Sequence, residues 1–589
     1  MKKNVILGAL ALLSCSQVVN AQSTASKLVI NEIMARNIDM MMDPSFNYGG
    51  WIELYNPTNT AINLNGLYIS YDKTNPKMVA IPAGNGSVPA KGFKTLWFDH
   101  YSTGGEYSDK AKNQIDFKID TDGDELFISD KNGTILVSQV VPPAIARTSY
   151  ARKTDGGSEW GFTYTPTQGK SNEGSIFAEV QLATPVVDRT GTVYTSDFDI
   201  HVTIPEGATL RYTTDGTTPD LINGATSQDG VFGINGKKNY VYRFRLYQDG
   251  FLPSDVATHT YIYNSSNYYL PIVSVVTNPD NLYDNKIGAL VDGTNGTGGN
   301  GGYKFVHGSD GTSNKNRGWE RPVNFELIVP NKDKEYCVAL NQGVDLEVSG
   351  GWSRHFPPSP SFKLKAGKLY GAKYFSYPIF SQKPYIRNKA IIVRNGGNDC
   401  ECRIVDAAIN EILSSSGFYI DCQVYQPSHV FINGKYQFMF NLRETTNKNY
   451  AYSNYGIDTD EIDQMEYSGG YSVKAGDDIA YKKLTNLCND LSSNPTDDDI
   501  WKQICDLCDI DELCNYFATE LYVGSEDWVT NNNNTKLFRD RNDGKFHFVF
   551  FDVDEAFKRT DLFSKFDANK GQNSGGGGWG GWGWGGVRS

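Results

Sequence analysis

Gly524-Ser-Glu-Asp527-Trp-Val-Thr-Asn-Asn532 opens the most informative segment of the chain, which runs on to Asp554. Thr535 to Arg539 is strand-like, Asn542-Asp543-Gly544 is a turn, and Lys545 to Phe551 is a second strand ending in Asp552-Val553-Asp554. Phosphoryl transfer needs one carboxylate to orient an attacking hydroxyl. It also needs an amide and a second carboxylate to hold a divalent metal against nucleotide phosphates. Asp527 and Asn532 offer the first carboxylate and the amide on one loop. The hairpin returns Asp552 to the same end of the sheet, and Asp554 shares its face if the strand continues. Asp and Asn also cap ordinary loops at such places, so spacing alone leaves the capping reading beside the catalytic one.

The upstream order weighs on that choice. Val430 to Tyr436 and Phe438 to Glu444 flank an Asn433-Gly434 pair, the signal of a tight hairpin. Before them, Arg403 to Leu413 reads as an amphipathic helix with Ile404, Ala407, Ala408 and Ile412 on one side. Strands are expected at Ser361 to Lys365 and Ala390 to Arg394. Asp478 to Leu491 and Ile500 to Leu521 are further helices, the latter with Asp497-Asp498-Asp499 at its positive end. Strand, helix, two strands, helices and then the Asp/Asn loop is the order of a kinase-like α+β domain.

Segment 269–560 resembles the spore-coat protein H (CotH) kinase-like family. The motifs are Gly350-Gly-Trp-Ser353-Arg354, Ser361-Phe-Lys-Leu-Lys365 with Tyr370-Gly371, Val393-Arg-Asn-Gly-Gly-Asn398, Phe431-Ile-Asn-Gly-Lys-Tyr436, Leu442-Arg-Glu444, and Asp527 through Asp552-Val-Asp554. The resemblance implies an atypical protein kinase using ATP and Mg²⁺ or Mn²⁺. It implies Asp527 as catalytic carboxylate with Asn532 assisting, Asp552, Asp554 and Asn532 at the metal, and Glu444 on the nucleotide side. Two departures stand out. The family has a Lys just before the Ser of its Ser-aromatic strand, where this chain has Pro360. Lys363 or Lys365, on the face of Ser361 by strand alternation, is left to meet the phosphates. The family's later helices are also expected after Asp554, where this chain runs into a Gly/Trp-rich tail (residues 575–589), so the C-terminal lobe reads as incomplete.

Toward the N-terminus the pattern is strand and turn. Leu28-Val-Ile-Asn-Glu-Ile33, Trp51-Ile-Glu-Leu-Tyr-Asn-Pro57 and Ile62-Asn-Leu-Asn-Gly-Leu67 resemble the lamin-tail domain, which implies an immunoglobulin-like sandwich over residues 27–174. Arg211-Tyr-Thr-Thr-Asp-Gly-Thr-Thr-Pro-Asp220 resembles the small sandwich module at the C-terminus of chitobiases, over residues 178–263. Neither resemblance brings catalytic residues. Asp120-x-Asp122-Gly123-Asp124 imitates a calcium loop, but its twelfth position is Lys131, so a turn is the reading. Gly296-x-Gly298-x-x-Gly301 has no helix pattern after it and reads as a surface insertion.

Lys2 and Lys3, the apolar run Val5 to Leu13, and Val19-Asn20-Ala21 form a signal peptide over residues 1–21. Leu12-Leu13-Ser14-Cys15 is an imperfect lipoprotein box, so cleavage after Ala21 is preferred to lipidation of Cys15. The chain is expected to be exported: periplasmic, surface-associated or secreted, with no transmembrane span. The eight later cysteines permit disulfides in such a compartment, and Cys505-x2-Cys508 lies in a helix pattern without a second zinc knuckle. With 55 Lys+Arg against 68 Asp+Glu, the net charge of -13 repels phosphate backbones and argues against nucleic acid. The reading is multidomain: two all-β immunoglobulin-like sandwiches, then an α+β atypical protein-kinase-like domain. An exported or surface protein is its expected substrate. A non-catalytic scaffold, with the kinase-like fold and both sandwiches used for binding, is the alternative. A carbohydrate-active enzyme is a weaker third reading, since no catalytic carboxylate pair stands out for it.

Overall fold

Val29–Met34 is buried at five of its six positions because it lies inside a sheet, between Ser149–Arg152 and Gly50–Tyr55. The computed structural model describes residues 24–98, 113–293, 313–316, 318–355, 359–367, 369–525, 528, 533–542 and 544–557. The segment read as a signal peptide (with Cys15), the Gly296 to Gly301 run, Asp527, Asn532 and the Gly/Trp tail lie outside them. Six strands form the first sheet, and a four-stranded sheet of Val79–Ala80, Tyr68–Ser70, Asp124–Ser129 and Ile135–Val141 packs on it. Ile30, Ile52, Leu54, Leu96 and Ile128 fill the space between, as expected of a sandwich. Glu32 and Glu53 are also buried. The 167–169 segment covers them, with the Thr167 and Gly169 N–H groups donating to their carboxylates.

The second unit is a five-stranded sheet in which Thr192–Tyr194 runs parallel to Ala257–Tyr263, facing a two-stranded ribbon of Phe198–His201 and Val231–Ile234. Tyr242, Phe244, Phe232 and Ile234 form its core. Segment 39–48 of the first sandwich ties the units together. Thr218 Oγ1 donates to Asp39 (2.7 Å), Trp319 Nε1 to the Ser45 carbonyl (3.0 Å), and Tyr48 Oη to Asn281 (2.9 Å).

The third unit has two lobes. Ile272–Val276, Glu320–Pro330, Tyr336–Val348, Phe362–Lys365, Ala390–Arg394, Lys435–Glu444 and Tyr425–Ile432 close into a barrel, sealed by parallel pairing of the first and last. Its interior is apolar, with Val275, Phe325, Leu346, Phe362, Leu364, Val393 and Phe440 all buried. The Asn433-Gly434 hairpin forms as read. Both residues have positive φ, 47° and 72°, which an Asn-Gly turn tolerates. The second lobe is a five-stranded sheet of Asp421–Cys422, His547–Phe550, Thr535–Asp540, Ile462–Tyr467 and Tyr471–Ala475, packed against helices.

Three local readings change. Helix Val405–Ser416 buries Asp406, Ala407, Ile409 and Asn410, while Ile404 and Ile412 are 58% and 66% exposed. The inward face carries a different apolar stripe, Val405, Ile409 and Leu413, with Asp406 beside it in polar contacts between the lobes. The helix expected over Ile500 to Leu521 is two helices, Asp498–Leu507 and Ile510–Val523. Asp509 breaks it by accepting the Glu512 N–H as a new N-cap. The last strand stops at Phe550, so alternation does not set the directions of Asp552 and Asp554.

Candidate functional site

Asp552 stands just past strand His547–Phe550, where that strand reaches the barrel. Its φ is +60°, a left-handed conformation uncommon for a residue with a side chain. This kink brings the Asp552 and Asp554 carboxylates onto one guanidinium. Arg394, the last residue of barrel strand Ala390–Arg394, donates through Nη2 to Asp552 Oδ1 and to Asp554 Oδ2, the latter at 2.8 Å. The turn is gripped at two further points. The Asn398 N–H donates to Asp554 Oδ2 (2.9 Å), and the Val553 N–H donates to Asp406 Oδ1 (3.2 Å). Asp406 is held in turn by Arg443 (3.1 Å) and Asn410 (3.1 Å). A Cβ on Gly397 would lie 1.8 Å from Asp554 Oδ2, so only glycine fits under that carboxylate.

The charges in this cluster perturb one another. Burial and the neighbouring Asp552 push the Asp554 carboxyl up to about 7, against the pull of Arg394. Burial alone would raise Asp406, but Arg443 and Arg394 hold its carboxyl below the usual range. Burial also opposes the charge on Arg394, and Asp552, Asp554 and Asp406 outweigh it, so its proton is held more tightly than usual. Glu520, buried in helix Ile510–Val523, is raised well above the ordinary value by burial, with Asp552 adding to the effect.

The two lysines carried by Phe362–Lys365 differ. Lys365 forms ion pairs with Glu320 (2.9 Å) and Glu347. Burial works against its charge, but those carboxylates raise it above the ordinary value. Lys363 has no hydrogen bond or ion pair among the described residues. Burial lowers its ammonium; Glu347 opposes that, while Lys365, Lys536 and Arg354 add to it. Lys536 lies close enough for its charge to act on Lys363, and its Nζ is 4.5 Å from the centre of the ring of Phe551, the residue before Asp552. It is itself held by Glu466 (3.3 Å) and by Thr446 Oγ1 (2.6 Å). The result is a partly buried ammonium among other cations.

Glu444 takes a different place. Its carboxylate is buried and receives Lys383 (3.2 Å), Asn454 Nδ2 (3.2 Å) and the Val424 N–H (3.2 Å). Ile391 pairs with Glu444 and Arg394 with Asn441, so Glu444 lies three residues, roughly 10 Å, along the strands from Arg394. Asp527 and Asn532 lie outside the described residues. Pro360 is buried just before the lysine strand.

Sequence reasoning missed Arg394, Asp406, Arg443, Lys536 and Lys383. A signal existed for Asp406. It and Asn410 sit four residues apart on a helix whose apolar stripe would leave them unexplained.

Among the described residues no group of three His, Cys, Asp or Glu side chains is arranged to hold a metal ion. A Mg²⁺ ion that arrives with phosphates needs only one or two carboxylates from the protein. Asp552 and Asp554 supply two hard oxygen donors, and the guanidinium between them already stands where a cation is wanted. The donor set fits such an ion.

Comparison with known families gives two matches. Residues 346–584 match the family described as CotH kinase protein, and residues 21–143 match the Lamin Tail Domain. No curated protein matches the chain. The first match begins inside strand Tyr336–Val348, yet the barrel closes only with Ile272–Val276 and Glu320–Pro330. The second ends at residue 143, while Ser149–Arg152 pairs with Val29–Met34 in the same sheet. Among the described residues no helix is long and apolar enough to cross a membrane.

Proposed function

We propose that this chain, which carries a CotH kinase domain behind a lamin tail domain, is an exported protein kinase that transfers the γ-phosphoryl group of ATP to a hydroxyl of exported or surface proteins. The observation that carries this reading is Lys363. A partly buried ammonium with no ion-pair partner among the described residues, flanked by Lys365, Lys536 and Arg354, is costly unless an anion comes to it. A nucleotide phosphate supplies that anion through charge-assisted hydrogen bonds. Lys365, already neutralised by two glutamates, serves the strand instead.

In this reading Lys363 binds and orients the phosphates, and Asp552 and Asp554 hold Mg²⁺ or Mn²⁺. When bound, that ion neutralises charge on the transferring phosphoryl group. Asp527 orients the acceptor hydroxyl and takes its proton as the new P–O bond forms and the bond to the ADP oxygen breaks. Asn532 assists at the metal. The Glu444–Lys383 pair fixes the far end of the barrel strands, a positioning role and not a contact with nucleotide. The signal peptide would deliver the protein past the inner membrane, and the two sandwiches would space or bind partners at a surface.

One observation favours the second reading, a non-catalytic scaffold. Arg394 already occupies one oxygen of each carboxylate of the Asp552–Asp554 pair. The test is mature protein with Mg²⁺ or Mn²⁺ and labelled ATP. The kinase reading expects label on the protein or an added acceptor, abolished in Asp552→Ala and strongly reduced in Asp527→Ala with metal binding retained. Wild-type protein that binds no nucleotide in a thermal-shift titration overturns it in favour of the scaffold.

A further inference from the structure

We infer that Arg394 is a positioning residue that stands in for the divalent cation. In the nucleotide-free protein its guanidinium keeps Asp552 and Asp554 converged, and it yields them when the ion arrives. This rests on the kinase reading and goes beyond it by assigning a residue to the control of metal entry.

The geometry supports an exchange rather than a permanent tie. One nitrogen, Nη2, reaches both carboxylates, which come from a single left-handed turn. That turn does not depend on Arg394 for its place. The Asn398 N–H holds Asp554 and Asp406 holds the Val553 N–H, so the turn and the Asp554 carboxylate keep a second hold when the guanidinium leaves. Arg394 also has somewhere to go. Its Nε is buried without a hydrogen-bond partner and lies 3.8 Å from Asp406 Oδ2. A small rotation toward Asp406 converts that near approach into a hydrogen bond and frees the pair. Arg443 keeps Asp406 fixed throughout.

With all groups ionised, three carboxylates face two guanidinium groups in this cluster, so it carries one negative charge before the ion enters and one positive charge after, which nucleotide phosphates would offset. Asp552 and Asp554 together offer two negative charges when ionised, and a divalent ion matches both. Arg394 matches one and shifts its remaining attraction to Asp406. Nη2 stands one atom farther from the backbone than a lysine Nζ, so a lysine at this position falls short of bridging both carboxylates. Because Arg394 ends a barrel strand and Asp552 comes after a strand of the other lobe, the exchange also releases one tie between the two lobes.

The test is Mn²⁺ binding to the full mature chain without nucleotide, read by electron paramagnetic resonance, for wild type, Arg394→Met and Arg394→Lys. The expected result is weak binding by wild type and binding about tenfold or more tighter by Arg394→Met, a factor set by removal of the competing cation. Arg394→Lys keeps the charge but bridges poorly, so it should fall between them. With a non-hydrolysable ATP analogue present, the gap between wild type and Arg394→Met should shrink. Equal Mn²⁺ affinity in wild type and Arg394→Met overturns the inference. Wild-type affinity in Arg394→Lys also overturns it, because a general electrostatic field would then explain the effect. If Arg394→Met fails to fold, Arg394→Lys alone decides. A wild type that binds Mn²⁺ with nucleotide while both variants match it leaves the kinase reading standing and this inference refuted. A wild type that binds neither overturns both.

Discussion

Replacing Lys363 by Met is expected to stabilise the nucleotide-free protein and to weaken its hold on nucleotide. The ammonium is largely withdrawn from water and faces Lys365, Lys536 and Arg354, with Glu347 opposing them. Met keeps the unbranched stem and its packing while removing the charge. Relief of this kind is worth about 0.5–2 kcal/mol, or about 2–4 °C per kcal/mol for a domain of about 150–250 residues. The loss on the other side is larger. Hydrogen bonds from a charged donor are worth about 1.5–3 kcal/mol, so the dissociation constant for ATP should rise about 10- to 150-fold. Lys365→Met should behave oppositely. It strips one partner from Glu320 and one from Glu347, both about three-quarters buried, and should cost about 1–2 kcal/mol with nucleotide affinity little changed. Thermal-shift titration of wild type and both variants, with and without ATP and Mg²⁺, separates the two effects. A Lys363→Met protein that melts lower than wild type and keeps the full nucleotide shift refutes the reasoning. Loss of the shift in Lys365→Met alone would give the phosphate role to Lys365.

Three other substitutions probe the fold around the site. Glu326 is buried where the barrel meets the middle sandwich, and burial pushes its carboxyl up to about 8 against hydrogen bonding from Thr260. The folded state then keeps a proton that the unfolded state releases near 4.5, so this contribution is full below that pH and is lost as pH rises toward about 8. Glu326→Gln should flatten the decline in urea midpoints measured at several pH values across that window, and an unchanged slope counts against the assignment. Gly397→Ala places a Cβ 1.8 Å from Asp554 Oδ2 at a φ of +62°, and should cost about 1–3 kcal/mol and weaken Mn²⁺ binding. Wild-type melting and metal affinity in that variant would show that the turn is free to move. Asp509→Ala removes an N-cap and the acceptor of the Tyr419 hydroxyl, so a loss of about 1–2 kcal/mol should appear in chemical denaturation.

Much of the fold could be read along the chain because local chemistry sets it. The Asn433-Gly434 pair dictates a turn with two positive φ values, and Asp497 caps its helix by accepting the Asp499 and Ile500 N–H groups. The hairpin from Thr535 to Phe550 comes from alternation around a polar turn. Where the reading failed, the deciding partner lay far away in sequence. Helix Val405–Ser416 packs Val405, Ile409 and Leu413 on the second lobe's core, and Asp406 beside them meets Arg443, Arg394 and the Val553 N–H, distant partners that a helical wheel does not contain.

The candidate site divides in the same way. The order of residues was enough to show which groups were available: the carboxylates of Asp552 and Asp554, the two lysines two positions apart, and the hairpin that carries the carboxylates back. Which of them are free was settled by packing in three dimensions. Lys363 and Lys365 are equivalent by strand alternation, and only the neighbouring strands, which bring Glu320 and Glu347 to Lys365, make them different. The convergence of Asp552 and Asp554 likewise comes from a left-handed kink and from an arginine about 160 residues earlier in the chain. Charge pairing acts through space, over a few ångströms, and is indifferent to separation along the chain. That is why the donors were legible in the sequence and their occupancy was not.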